Sequence, residues 1–147
     1  YAYAFHSQGL PMVFWWDYFD GAYIGDNYKL RWGTQIQGEL NRLIKIRKNV
    51  VGGYLSLIHA DADVYAQERS GGSGKYTSLL VINDSSTTRT NSLQTSWINT
   101  YIVDLVATSG TPHSVTTDAS GSMTLAMPPR SYRIYSTTNA LNEVNAP

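Results

Sequence analysis

The Gly52-Gly53 pair divides this chain into two kinds of sequence, and everything after it reads as β structure. From Tyr54 onward, alternating or β-branched segments recur about every 8–12 residues, each closed by turn-formers, which is the pattern of an antiparallel sandwich. The breaks are Ser70-Gly71-Gly72-Ser73-Gly74, Asn83-Asp84-Ser85-Ser86, Ser109-Gly110-Thr111-Pro112, Ala119-Ser120-Gly121 and Pro128-Pro129. Strands are predicted near 54–60, 63–69, 78–84, 93–97, 101–107, 113–117, 122–127 and 131–136. The remaining stretch, 137–147, is polar and aperiodic, and is expected to be a disordered tail or linker.

Ahead of the glycines the pattern is α/β. Tyr1 to His6 reads as the end of a helix, stopped by Gly9 and Pro11. Its abrupt apolar start leads us to expect further chain upstream. Pro11 to Phe19 is a continuous apolar-aromatic run of β-formers, as in a strand buried on both faces of a parallel sheet. A polar loop, Asp20 to Gly33, carries Tyr23, Tyr28, Arg31 and Trp32. A helix should follow, with Thr34 and Gln37 as its capping box and Ile36, Leu40, Leu43 and Ile44 at helical spacing. Lys45, Arg47 and Lys48 then complement its C-terminal dipole. Helix, strand, loop, helix is the repeat of an α/β barrel or a doubly wound sheet.

Charge narrows the partners. Eleven basic side chains balance eleven acidic ones with no basic stripe, which argues against nucleic acid and anionic membranes. No apolar run approaches the ~20 residues that span a bilayer. The absence of cysteine excludes disulfides and thiolate metal sites. Eleven tyrosines and four tryptophans are suited to carbohydrate faces, and equally to β cores.

Four segments, in order, resemble the C-terminal part of α-amylases. YAYAFHSQGLPMVFWWDYF (1–19) is similar to that family's seventh barrel helix leading into the eighth strand. LNRLIKIRK (40–48) resembles the eighth helix, DADVYAQER (61–69) the first hairpin of the C-terminal domain, and RSYRIY (130–135) its last strand. The resemblance implies the end of a (β/α)8 barrel over 1–52, followed by an all-β antiparallel Greek-key sandwich over 53–136. It further implies a secreted, extracellular enzyme that hydrolyses internal α-1,4-glucosidic bonds of starch or malto-oligosaccharides with retention. The partner of this chain would be the remainder of the catalytic barrel. The family's Asp/Glu/Asp catalytic residues would all lie upstream of Tyr1, so no catalytic residue is expected here, and retaining hydrolysis needs a carboxyl pair about 5 Å apart. An alternative is a glucan-binding sandwich module, or a purely structural β domain.

The resemblance also nominates residues. Trp15, Trp16, Asp17 and Tyr18 would stand at the C-terminal end of the eighth strand, where a barrel faces its substrate, unless they pack the barrel instead. Trp97 and Tyr101 are candidates for a sugar-stacking platform, with core burial as the plainer reading. Asp61 and Asp63 could contribute to a calcium ion, although the parent enzyme would hold calcium mainly outside this chain, and a solvated strand face is the blander explanation. His6, His59 and His113 match no metal spacing and are read as structural, while Asn83-Asp84-Ser85 is a glycosylation pattern that also spells a turn.

Overall fold

The structure, a computed structural model, describes residues 1–13, 36–107 and 109–146. The chain opens with α1 (Ala2–His6) and α2 (Gln37–Asn49). Eight strands follow: β1 (Leu55–Ala60), β2 (Val64–Arg69), β3 (Ser78–Asn83), β4 (Arg89–Gln94), β5 (Tyr101–Asp104), β6 (Ser114–Thr116), β7 (Ser122–Met127) and β8 (Ser131–Ser136). A further helix, α3 (Thr138–Asn145), comes after them.

One sheet has six strands in the order β1-β2-β3-β8-β5-β6, and β4 and β7 form a second sheet of two. Every strand pair is antiparallel, as the alternating sequence pattern predicts. The chain leaves the large sheet after β3, returns at β5, leaves again after β6 and returns at β8.

Both faces of the large sheet are covered, so its central strands are apolar on both sides. In β3, Leu79 and Val81 point to one core while Leu80 points to the other. In β8 the alternation puts Tyr135 on one side and Ile134 on the other. The first core is roofed by helices: Ala2 and Phe5 of α1, Leu43 and Ile46 of α2, and Ala140 and Val144 of α3 pack on Leu80, Val103 and Ile134. The second core lies between the sheets, where Leu93, Met123, Leu125 and Met127 meet Val64, Ala66, Leu79, Val81 and Tyr135. Full burial of one Leu or Ile contributes about 1.5–3 kcal/mol, and Leu79, Leu80, Ile102 and Leu105 are all 0% exposed.

Close backbone approaches select two glycines. A Cβ on Gly121 (φ +85°) would sit 2.6 Å from the Thr95 carbonyl oxygen, and one on Gly53 (φ +75°) only 1.9 Å from that of Gly71.

Several expectations need adjustment. The 137–147 tail is not a disordered linker: α3 places Ala140 and Val144 one helical turn apart against the first core, both 0% exposed. Its polar composition conceals that stripe. The fourth strand is Arg89–Gln94, upstream of the predicted 93–97, because its outer face is polar and only Leu93 marks the inner one. The helix start at Thr34 lies outside the described residues, as does the strand expected at 11–19 apart from Pro11–Val13, which are irregular.

Candidate functional site

The densest polar cluster joins α1 to the large sheet. The His6 side chain is fully buried at the end of α1. On β2, alternation turns Tyr65, Gln67 and Arg69 towards α1, opposite to Val64 and Ala66. The Tyr65 hydroxyl donates to Gln67 Oε1 at 2.8 Å, which orients the amide so that its Nε2 donates to His6 Nδ1 at 3.0 Å and to Ser7 Oγ at 3.3 Å. The ring proton therefore sits on His6 Nε2, 3.1 Å from Ser78 Oγ of β3. Arg69 donates through Nη1 to the His6 carbonyl at 3.1 Å and through Nη2 to that of Gly53 at 2.7 Å. Burial first, then the charges of Arg69 and Arg47, depress the His6 pKa to about 3, against the opposing effect of a hydrogen bond at Ser78.

From the other side, α2 reaches both flanking helices through carbonyl groups. Arg47 Nη1 donates to the carbonyls of Phe5 at 3.4 Å and Ser7 at 2.8 Å, and its Nη2 to that of Gly9 at 2.5 Å. Lys45 donates to the Ala146 carbonyl at 3.0 Å, Asn49 to that of Glu143 at 3.3 Å, and Arg42 to Asn145 Oδ1 at 2.6 Å. The backbone carbonyls of Phe5, Ser7, Glu143 and Ala146 lie in or at the caps of the last turns of α1 and α3, where intrahelical partners run out, so α2 caps both helices in trans.

The predicted site residues are scattered. Trp15, Trp16, Asp17 and Tyr18 lie outside the described residues. Trp97 is 8% exposed and belongs to the core between the sheets, whereas Tyr101 on β5 is 54% exposed. The two do not form a pair of exposed rings. Asp61 Oδ1 accepts the backbone N–H groups of Asp63 at 2.8 Å and Val64 at 2.6 Å, and its Oδ2 lies 2.8 Å from His59 Nε2. The His59 bond first, then these two amides, hold the Asp61 carboxyl down to about 2. Asp63 pairs with the Arg89 guanidinium. The two carboxylates are thus engaged in a turn and an ion pair, an arrangement that does not fit a calcium cage, and no group of three His, Cys, Asp or Glu converges among the described residues.

Asn83 is 1% exposed, and its Nδ2 donates to the carbonyls of Thr87, Met127 and Pro128 at 2.9, 3.0 and 2.8 Å. It ties the end of β3 to β7, so its amide nitrogen is not presented for glycosylation. At the β5–β8 junction the Tyr135 hydroxyl stands 3.0 Å from His113 Nδ1 and 3.1 Å from Arg133 Nη1, and buried Asp104 lies 3.9 Å from Arg133 Nε. Burial raises both Tyr135, to about 12, and Asp104. A cavity of about 420 Å³ between α1, α2 and the ends of β3 and β8 is lined by Tyr1, Tyr3, Leu40, Ile82, Arg130 and Tyr132 among others. The sequence signal for the His6 cluster was slight: a lone histidine in an apolar helix end, and Gln67 and Arg69 in a strand otherwise read as a hairpin.

Residues 79–136, from β3 to β8, match the family model described as alpha-amylase C-terminal. No curated protein matches the chain. Among solved structures, an Anoxybacillus α-amylase superposes with a TM-score of 0.70 at 16% identity, covering 92% of this chain and 30% of that one. A cyclomaltodextrin glucanotransferase with a three-domain ABC distribution gives 0.62 at 22% identity over 92% of this chain and 30% of its own. An α-amylase from Malbranchea cinnamomea gives 0.56 at 11% identity over 71% and 23%. At these identities the likeness is one of fold, and the chain spans about a third or less of each structure's length. The family match runs through the sheet that both cores share, so over residues 79–136 the chain is similar to an α-amylase C-terminal domain, and its fold is the one those solved structures carry.

Proposed function

We propose that this chain is the closing part of a secreted α-amylase-type glycoside hydrolase that cleaves internal α-1,4-glucosidic bonds of starch with retention. In this reading residues 1–52 complete a (β/α)8 barrel, and the sandwich braces it from outside. The catalytic carboxylates belong to the preceding part of the protein, together with any calcium site. The chain's own task is mechanical: it fixes the last barrel elements against a rigid β body.

The observation that carries this reading is the shared first core. Phe5 and Ile46 pack with Leu80, Val103 and Ile134 in one cluster, and His6 and Arg47 add directional bonds. A free-standing sugar-binding module has no use for such a helical roof, whereas the end of a barrel needs one. Two further features fit a covered surface on this side: Tyr3 and Leu57 are 52% and 60% exposed, and Tyr3 packs edge-on against Tyr65.

The test is an activity assay on two proteins. The 147-residue chain alone should release no reducing ends from soluble starch, while a longer protein containing it should do so with retained anomeric configuration by NMR. Hydrolysis by the chain alone, or an inactive or inverting longer protein, would overturn the proposal.

A further inference from the structure

His6 is placed where it can be neutral but not charged. In this network the Gln67 amide turns its nitrogen to Nδ1, while its oxygen accepts from Tyr65. A second ring proton would therefore point one N–H at another. The charged groups facing the ring are Arg69 from β2 and Arg47 from α2, both cationic. From β3 it meets Ser78. The neighbouring carboxylate of β2, Glu68, points to the opposite face of the sheet, where it accepts the Ser96 N–H at 2.9 Å.

The bonds around this ring are also those that hold the arm. Gln67 grips both His6 and Ser7, Arg69 holds the His6 carbonyl, and Arg47 holds Phe5, Ser7 and Gly9. The β4–β7 sheet and the core beneath it contain no residue of this arm.

We propose that His6 makes α1 an acid-released strap: protonation of Nδ1 detaches α1 and Ser7 to Gly9 from β2, β3 and α2, while the two sheets stay folded. The inference concerns this arm alone and does not depend on what the whole protein acts upon. An imidazole that protonates near 6.5 when free and near 3 when docked shifts the opening equilibrium about tenfold per pH unit across that interval.

Hydrogen exchange of the 147-residue chain between pH 7 and pH 4, corrected for intrinsic rates, tests this. The Phe5 and Ser7 amides, which donate to the Tyr1 and Tyr3 carbonyls, should lose protection about tenfold per pH unit, with the β3 and β8 amides unchanged. Gln67→Glu supplies an acceptor for the second proton and should flatten that response. If this variant does not fold, His6→Gln must abolish the response. Protection of α1 that does not vary with pH, loss of α1 and β3 protection together, or an unaltered slope in the variants would each overturn the proposal.

Discussion

Arg47 Nη1 lies 2.8 Å from the carbonyl oxygen of Ser7, so a cation in the last turn of α2 closes the end of α1. Arg47→Ala leaves the Phe5, Ser7 and Gly9 carbonyls without that donor. Hydrogen bonds to a charged group are each worth about 1.5–3 kcal/mol, and with solvent reaching the outer carbonyl we expect a net loss of about 2 kcal/mol. The urea midpoint should fall, and Arg47→Lys, which offers a point charge in place of a fork, should recover only part of it.

Asp61 provides a pH signature at the β1–β2 turn. Its carboxyl is held at about 2 in the folded chain against an ordinary 3.8, so its stabilising effect is complete above 3.8 and fades as pH falls through 2. His59→Ala removes the leading cause. The side-chain carboxyl resonance of Asp61 should then titrate closer to 3.8 in a ¹³C NMR experiment. An unchanged midpoint would mean that the two backbone amides alone hold the carboxyl down.

Asn83 is a cross-brace between β3 and the strand that precedes Pro128. Asn83→Ala removes the donor shared by three carbonyls, of which the Met127 oxygen is buried, and a buried unsatisfied group costs about 1–3 kcal/mol. Asn83→Asp should be worse, since it aims a carboxylate at carbonyl oxygens. Thermal melts of the two variants check this order, and intact mass after expression in a glycosylating host should show Asn83 unmodified.

Trp97 and Tyr101, nominated together from sequence, should separate cleanly. Trp97→Ala empties a core position and should cost about 3–5 kcal/mol. Tyr101→Ala, on an exposed site, should stay within about 0.5 kcal/mol. Chemical denaturation distinguishes them, and sedimentation with insoluble starch shows whether Tyr101 contributes to glucan binding on its own.

Much of the β domain was legible because its strands are bounded by residues that cannot continue a ladder. Gly121 and Pro128 frame β7, and Pro129 stands just before β8, so those strands fall where predicted. Strand β4 was misplaced because RTNSLQ offers one apolar side chain and no hydrophobic alternation. Helix α3 escaped notice because Ala140 and Val144 are small, and their burial depends on α2 and β5, which lie far off in sequence. The same non-locality hid the His6 cluster. Nothing adjacent to His6 in the chain reveals that Gln67 and Ser78 will meet it.

The capping of α3 by α2 has a consequence for biosynthesis. Arg42 and Asn145 are 103 residues apart, and Lys45 and Ala146 are 101 apart. At about 5–20 residues per second, α2 leaves the ribosome on the order of ten seconds before its partners exist. An isolated helix below about 12–15 residues is marginal in water, and α2 has 13. Its bonds to α3 therefore form only once the sheet and α3 have arrived, so this roof is closed later than the sheet beneath it.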